Sequence, residues 1–167
     1  VVFDNPRGVK ADIEIAGSEI GDEFKFDDSR RVINQIQFEY YAALNPFESD
    51  QKGVLRFYAN NGSVTGDAGF KKPGDLLFES TPFSLRAGYN MVTVSGLRVH
   101  VPEDVPSVTW AFDFTGLTSI GKVGLLRHDS PVKGDSANAF WINKGTKASP
   151  NWQLQSSAAG RGNFSAR

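Results

Sequence analysis

Carboxylates on extended stretches are the first candidates for chemistry in this chain. Glu39, Glu79 and Asp113 each alternate with apolar neighbours, so each points away from the side that its neighbours bury. Two carboxyls facing each other across a cleft could run acid/base hydrolysis. On a half-wet sheet the same residues would simply be solvated. His100 and His128 are the only imidazoles and Cys is absent, which excludes disulfides and thiolate metal sites and disfavours a His-rich one. Ser130, His128 and Asp129 are the residue types of a hydrolase triad. Neighbours on one loop cannot reach that geometry, and no G-x-S-x-G turn is present. Residues 116–122 (G-L-T-S-I-G-K) imitate a phosphate loop, but Val123 stands where Ser or Thr is needed and the following residues read as a strand. The helix N-terminus that would hold phosphate is missing. The expectation is a protein that is not an enzyme.

Binding is the next possibility. Oxygen donors gather in loops: Asp27 with Asp28, Asp50, Asp67, and Asp129 with Asp135. Asp129 and Asp135 are the candidate ligands for a structural calcium ion, the one cofactor suggested, although no D-x-D-x-D-G loop occurs and turns use Asp routinely. Glycan recognition would need exposed aromatics beside amides and carboxylates. Trp110 lies in line with Val108, Phe112 and Phe114 and reads as core. Trp141 opposes Phe140 and Ile142; with Trp152, Tyr58 and Asn143 it forms the candidate ligand-binding set, and Tyr41 and Phe47 are further options. Packing under a loop is the competing explanation for Trp141. The triplets beginning at Asn61 and Asn163 match the N-x-S glycosylation pattern, which also arises often by chance.

The elements that must position these residues are strands. In Ser107–Thr115, Val108, Trp110, Phe112 and Phe114 fall on one side and Thr109, Ala111, Asp113 and Thr115 on the other, a period of two. Residues 32–41 repeat it, with Ile36, Phe38 and Tyr40 opposed to Gln35, Gln37, Glu39 and Tyr41. In residues 54–60, Leu55, Phe57 and Ala59 oppose Val54, Arg56, Tyr58 and Asn60. Weaker strands are expected at 11–15, 23–26, 76–79, 83–85, 89–95, 97–101, 123–127, 139–143 and 151–154. Gly21-Asp22 precedes the strand at 23–26, Asp27-Asp28-Ser29 reads as a turn, and residues 60–75, with four glycines, read as a long loop that should be functional or mobile. About ten short strands with turn signals between them predict an all-β antiparallel β-sandwich, jelly-roll-like, filling residues 1–167 as a single domain.

Composition agrees. The chain has 167 residues, 40% hydrophobic and 22% charged, with net charge -1. That is enough for a buried core and too balanced for disorder. No charge block invites nucleic acid and no apolar run approaches the roughly 20 residues of a membrane span, so neither nucleic acid nor membrane insertion is expected.

Several of these strands, taken in order, resemble a known set. Residues 32–41 (V-I-N-Q-I-Q-F-E-Y-Y), 54–61 (V-L-R-F-Y-A-N-N), 73–80 (P-G-D-L-L-F-E-S), 92–101 (V-T-V-S-G-L-R-V-H-V), 108–116 (V-T-W-A-F-D-F-T-G) and Phe140-Trp141 are similar to exported bacterial β-sandwich modules of surface-anchored, PEP-CTERM-type proteins. The resemblance spans residues 3–164. It implies export, a sandwich fold, an extracellular or cell-surface setting and no catalytic residues. The chain departs from it in having no hydrophobic anchor at its end and a longer 60–75 loop. Its start at Val1 rather than Met fits a removed leader and equally a trimmed chain.

Two functional expectations follow. One is a non-catalytic structural or adhesive module of a bacterial surface or matrix, whose partners are other copies of itself or surface and matrix components. Val1, Val2 and Phe3 at one end and Phe164 at the other could add a strand to a neighbour's sheet, or pair within their own domain. The other is a carbohydrate-binding module that takes glycans on exposed aromatics.

Overall fold

The computed structural model describes residues 11–13, 19–26, 31–44, 50–65, 70–117, 122–128, 139–156, 163–164 and 166–167. Within them the chain forms β1 (Ala11–Ile13), β2 (Glu19–Lys25), β3 (Val32–Ala43), β4 (Lys52–Ala59), β5 (Val64–Thr65), β6 (Phe70–Lys71), β7 (Leu76–Glu79), β8 (Phe83–Ser84), β9 (Gly88–His100), β10 (Ser107–Thr115), β11 (Lys122–His128), β12 (Ala139–Asn143), β13 (Trp152–Ser156) and β14 (Asn163–Phe164). Among the described residues there is no helix long and apolar enough to cross a membrane.

The protein is all-β and antiparallel, a sandwich of two main sheets. One runs β13-β12-β2-β10-β4-β7, with β8 also on β4; the other runs β1-β11-β3-β9, with β14 on β11. The chain changes sheet at each step from β2 to β3 to β4, and again from β9 through β12, the wrapping expected of a jelly-roll-like sandwich. Strand β10 is the centre, paired with β2 on one side and β4 on the other. Its inward row carries the core: Trp110 and Phe112 are fully buried, and Phe38 of β3 meets them at 5.5 and 4.9 Å between ring centroids. Among the described residues the Trp110 indole N–H has no acceptor; its ring contributes apolar bulk to the core.

Three expectations change. The predicted strands 89–95 and 97–101 are one ribbon, β9, kinked where Gly96 and Arg98 take φ of 74° and 72°; three residues there, two of them extra, oppose one on β3, a bulge that bends a strand without ending it. The strand expected to begin at Glu23 begins at Glu19, so Gly21-Asp22 lies in the middle of β2, with Gly21 paired on both sides. Gly21 is needed there, because a Cβ would collide with the Trp110 carbonyl oxygen and stand 2.8 Å from Ala111 Cβ. The described residues of the 60–75 segment, 60–65 and 70–75, are tied down rather than open. β5 pairs with β6, and its base is closed by Gly74 N–H donating to Ala59 O at 2.8 Å and Asn61 Nδ2 to Asp75 Oδ2 at 2.7 Å.

Candidate functional site

Registers place one set of side chains on the outer face of the larger sheet. From β4 come Arg56 and Tyr58, with Asn60 just beyond; from β10, Ser107, Thr109, Ala111 and Asp113; from β2, Glu19, Gly21 and Glu23; from β12, Trp141 and Asn143; from β13, Trp152 and Leu154. By alternation this should be the wet face. It is buried instead: Glu19, Glu23, Arg56, Tyr58, Asn60, Ser107, Thr109, Trp141, Asn143 and Trp152 are all at most 7% exposed.

The sheet rolls toward this face. β13 and β4 lie four strands apart, about 19 Å across a flat sheet. Yet the rings of Trp152 and Tyr58 meet edge to face at 5.2 Å. Lys147, on the β12–β13 connection, reaches Glu79 of β7 at 2.8 Å, across the same span. Phe70 of the β5–β6 hairpin packs against the cluster that Tyr58, Ala111, Trp141 and Trp152 form. The face is a trough closed over its own side chains.

Buried polar groups must find partners or cost several kcal/mol, and two carboxylates organise those partners. Glu19 Oε1 accepts from the Tyr58 hydroxyl at 2.9 Å and pairs with Arg56 Nη1 at 3.1 Å, while Oε2 accepts from Asn143 Nδ2 at 3.2 Å. Arg56 also donates through Nε to Glu79 Oε2 at 2.7 Å and through Nη1 to Asp113 Oδ2 at 3.0 Å. The second hub, Glu23, ends a directional chain. Thr109 Oγ1 donates to Asn60 Oδ1 at 2.8 Å, Asn60 Nδ2 to Ser107 Oγ at 3.0 Å and Ser107 Oγ to Glu23 Oε1 at 2.6 Å. Trp141 Nε1 lies 3.4 Å from Glu23 Oε2. Asn143 Oδ1 accepts backbone N–H groups of Gly145 and Asn151, fixing the turn that carries Lys147.

Protonation follows from these contacts. Burial alone would lower the Arg56 guanidinium, but its bonds to Glu79 and Glu19 outweigh that and hold it above its usual value. Burial, then the charge of Glu19 and the bond to it, push the Tyr58 phenol far above its ordinary range, so it stays a donor. The hydrogen bonds from Lys147 and Arg56 hold the Glu79 carboxyl below its ordinary value. Chemically this arrangement is a closed ion-pair and hydrogen-bond network. A hydrolytic carboxylate pair needs room between its members for substrate or water; here the Arg56 guanidinium fills the space shared by Glu19, Glu79 and Asp113.

The sequence-predicted ligand set converges, but not as a platform. Trp141, Trp152 and Tyr58 share one cluster, Asn143 joins Tyr58 through Glu19, and the four are 0%, 4%, 5% and 2% exposed in that order. This corrects the expectation of exposed aromatics: the curl of the sheet folds them onto each other. Phe164, expected as an assembly residue, is fully buried within its own chain. Its N–H donates to Asp22 Oδ2 at 2.8 Å, and its ring packs at 5.2 Å from Phe140. Beyond it, Arg167 exchanges backbone bonds with Gln37 at 2.8 Å in both directions. Val1, Val2, Phe3, Asp129 and Asp135 lie outside the described residues. Among those described, no three His, Cys, Asp or Glu gather as a metal-binding group. Sequence reasoning missed Glu19, Asp22 and Glu23. The signal available was the alternation Glu19-Gly21-Glu23 against Ile20-Asp22-Phe24, obscured by starting the strand at Glu23.

A second face is open. On the outside of β3–β9, Tyr41 and Tyr89 pair across strands with centroids 4.8 Å apart at 54°. Tyr89 and Met91 are 63% and 62% exposed, and Gln37 Nε2 donates to Thr93 Oγ1 at 3.0 Å beside them.

Comparison of the chain with protein-family models, curated proteins and solved structures found no match.

Proposed function

We propose that this chain is a non-catalytic structural or adhesive module of an extracellular surface or matrix, able to associate with copies of itself. The observation that carries the reading is Arg56. It sits within hydrogen-bond reach of Glu19, Glu79 and Asp113, so the carboxylates best placed for chemistry are neutralised by the chain itself. The concave face, where an open sandwich would receive a ligand, is filled by Trp141, Trp152 and Tyr58. Absence of Cys is compatible with export, and the strand patterns resemble surface-anchored sandwich modules. A panel of chromogenic glycoside, ester and peptide substrates, run beside adherence of labelled protein to bacterial envelopes and exopolysaccharide, tests it. Adherence without turnover is expected. Turnover that disappears in Glu19→Gln or Glu79→Gln would overturn it.

A second reading, carbohydrate binding, is favoured by the Tyr41–Tyr89 pair with Gln37, Thr93 and Glu39 on the same open face. Aromatic faces backed by amide and hydroxyl groups suit the C–H faces and hydroxyls of sugars. Pull-down on insoluble polysaccharides should then depend on the ring, and retention unchanged in Tyr89→Ala would remove this reading.

A further inference from the structure

We infer that the outer edge of β9 is the surface through which a second copy of this chain adds to the five-stranded sheet, β9 antiparallel to β9. The inference rests on the proposal of a self-associating module and names its contact.

β9 is the longest strand described, 13 residues, against a usual five or six. It pairs with β3 on one side, and among the described residues no strand pairs with it on the other. Every second residue of such an edge turns its N–H and C=O outward, a template for another strand. Edges are normally guarded by Lys, Pro, inward charges, shortness or bulges. Residues 88–95 read G-Y-N-M-V-T-V-S, with no charge and no Pro. The bulge is confined to Gly96–Arg98 and Gly88 takes φ of 84°, so the seven residues 89–95 remain regular before it. The other edges are shorter: β1 has three residues, β7 four and β13 five.

The occupant follows from self-complementarity. Antiparallel pairing about a two-fold axis uses the same segment on both sides and closes on itself. Neither side brings a charge to repel the other. Val92 and Val94 point toward the core but are only half-buried, whereas Val99 on the same inward row is buried. A partner strand would cover them and continue the core. Met91, 62% exposed on the outer face, would be covered too, and Met and Tyr are enriched at interfaces.

The test is sedimentation velocity over a wide concentration range, for the full chain and for a Met91→Lys/Thr93→Lys double variant. Both side chains are exposed, so the fold should survive, and circular dichroism confirms it. Reversible dimerisation weakened by roughly tenfold or more in the lysine variant is expected, because like charges then face each other across the axis. The natural chain has no Cys, so single Cys substitutions at residues 90–94 report proximity cleanly. Oxidation should give dimers that peak at one position and fall on either side, while Val64→Cys, exposed elsewhere, stays monomeric. Association that ignores the lysines, with no edge disulfide, would overturn the edge and leave self-association standing. A strict monomer at every concentration would overturn both.

Discussion

Arg56 decides the character of the trough residue by residue. Its guanidinium is 8% exposed and holds Glu19, itself 4% exposed, so removing it strands a buried carboxylate. Arg56→Ala should cost about 3–5 kcal/mol, measured by urea denaturation; a loss below about 1 kcal/mol would show that water enters the trough. Tyr58→Phe removes one donor to Glu19 and leaves Arg56 and Asn143 in place, so a smaller loss of about 1.5–3 kcal/mol is expected. Trp110→Ala empties the centre of the core and should cost about 3–5 kcal/mol. Glu79 sets a pH dependence. Its folded carboxyl lies below the ordinary value of 4.5, so its contribution is present above that value. The contribution is lost as pH falls through the depressed one. Melting temperature against pH should therefore be flatter on the acid side in Glu79→Gln than in the parent; parallel curves would show that the Lys147 and Arg56 contacts do not persist in solution.

At the scale of elements, β2 is the strand that couples the two sheets. Its outward residues Glu19 and Glu23 organise the trough, while Asp22, fully buried on the inward side, accepts the Phe164 N–H and so holds β14 against β11. Asp22→Ala should raise amide exchange at Asn163 and Phe164 more than in β10, which keeps both its neighbours; uniform acceleration would mean that Asp22 supports the whole core instead. The β5–β6 hairpin acts as a cover. Phe70→Ala should red-shift tryptophan emission as water reaches Trp141 and Trp152, with little change in strand content by circular dichroism.

For the whole molecule, the two sheets are buried differently. The smaller one is half-wet, with Gln35 exposed and Gln37 and Glu39 partly exposed outside and Ile36, Phe38 and Tyr40 buried inside. The larger is buried on both faces through β2, β4 and the first six residues of β10. This division directs the search for partners to the open face of β3–β9, where the exposed Tyr89 and Met91 lie, and to the side of β9 on which no described strand pairs.

The class of fold was legible in the residues. Period-two alternation is a local property of an extended backbone, so Ser107–Thr115 and Ala139–Asn143 agree with the structure residue for residue, and the core side of β3, β4 and β10 could be read directly. Alternation also separates one row from the other, which set Arg56 and Tyr58 opposite Leu55 and Phe57, and Trp141 opposite Phe140 and Ile142, before their positions were known. What it cannot report is burial of the polar row. That depends on curvature summed over six strands, on which residues four strands apart then meet, and on whether each buried donor finds its acceptor. Arg56 looks the same in sequence on a wet face or in a closed trough. Only the rolled sheet, bringing Glu19, Glu79 and Asp113 around it, makes it the centre of an internal network, and only the strand order leaves β9 at an edge.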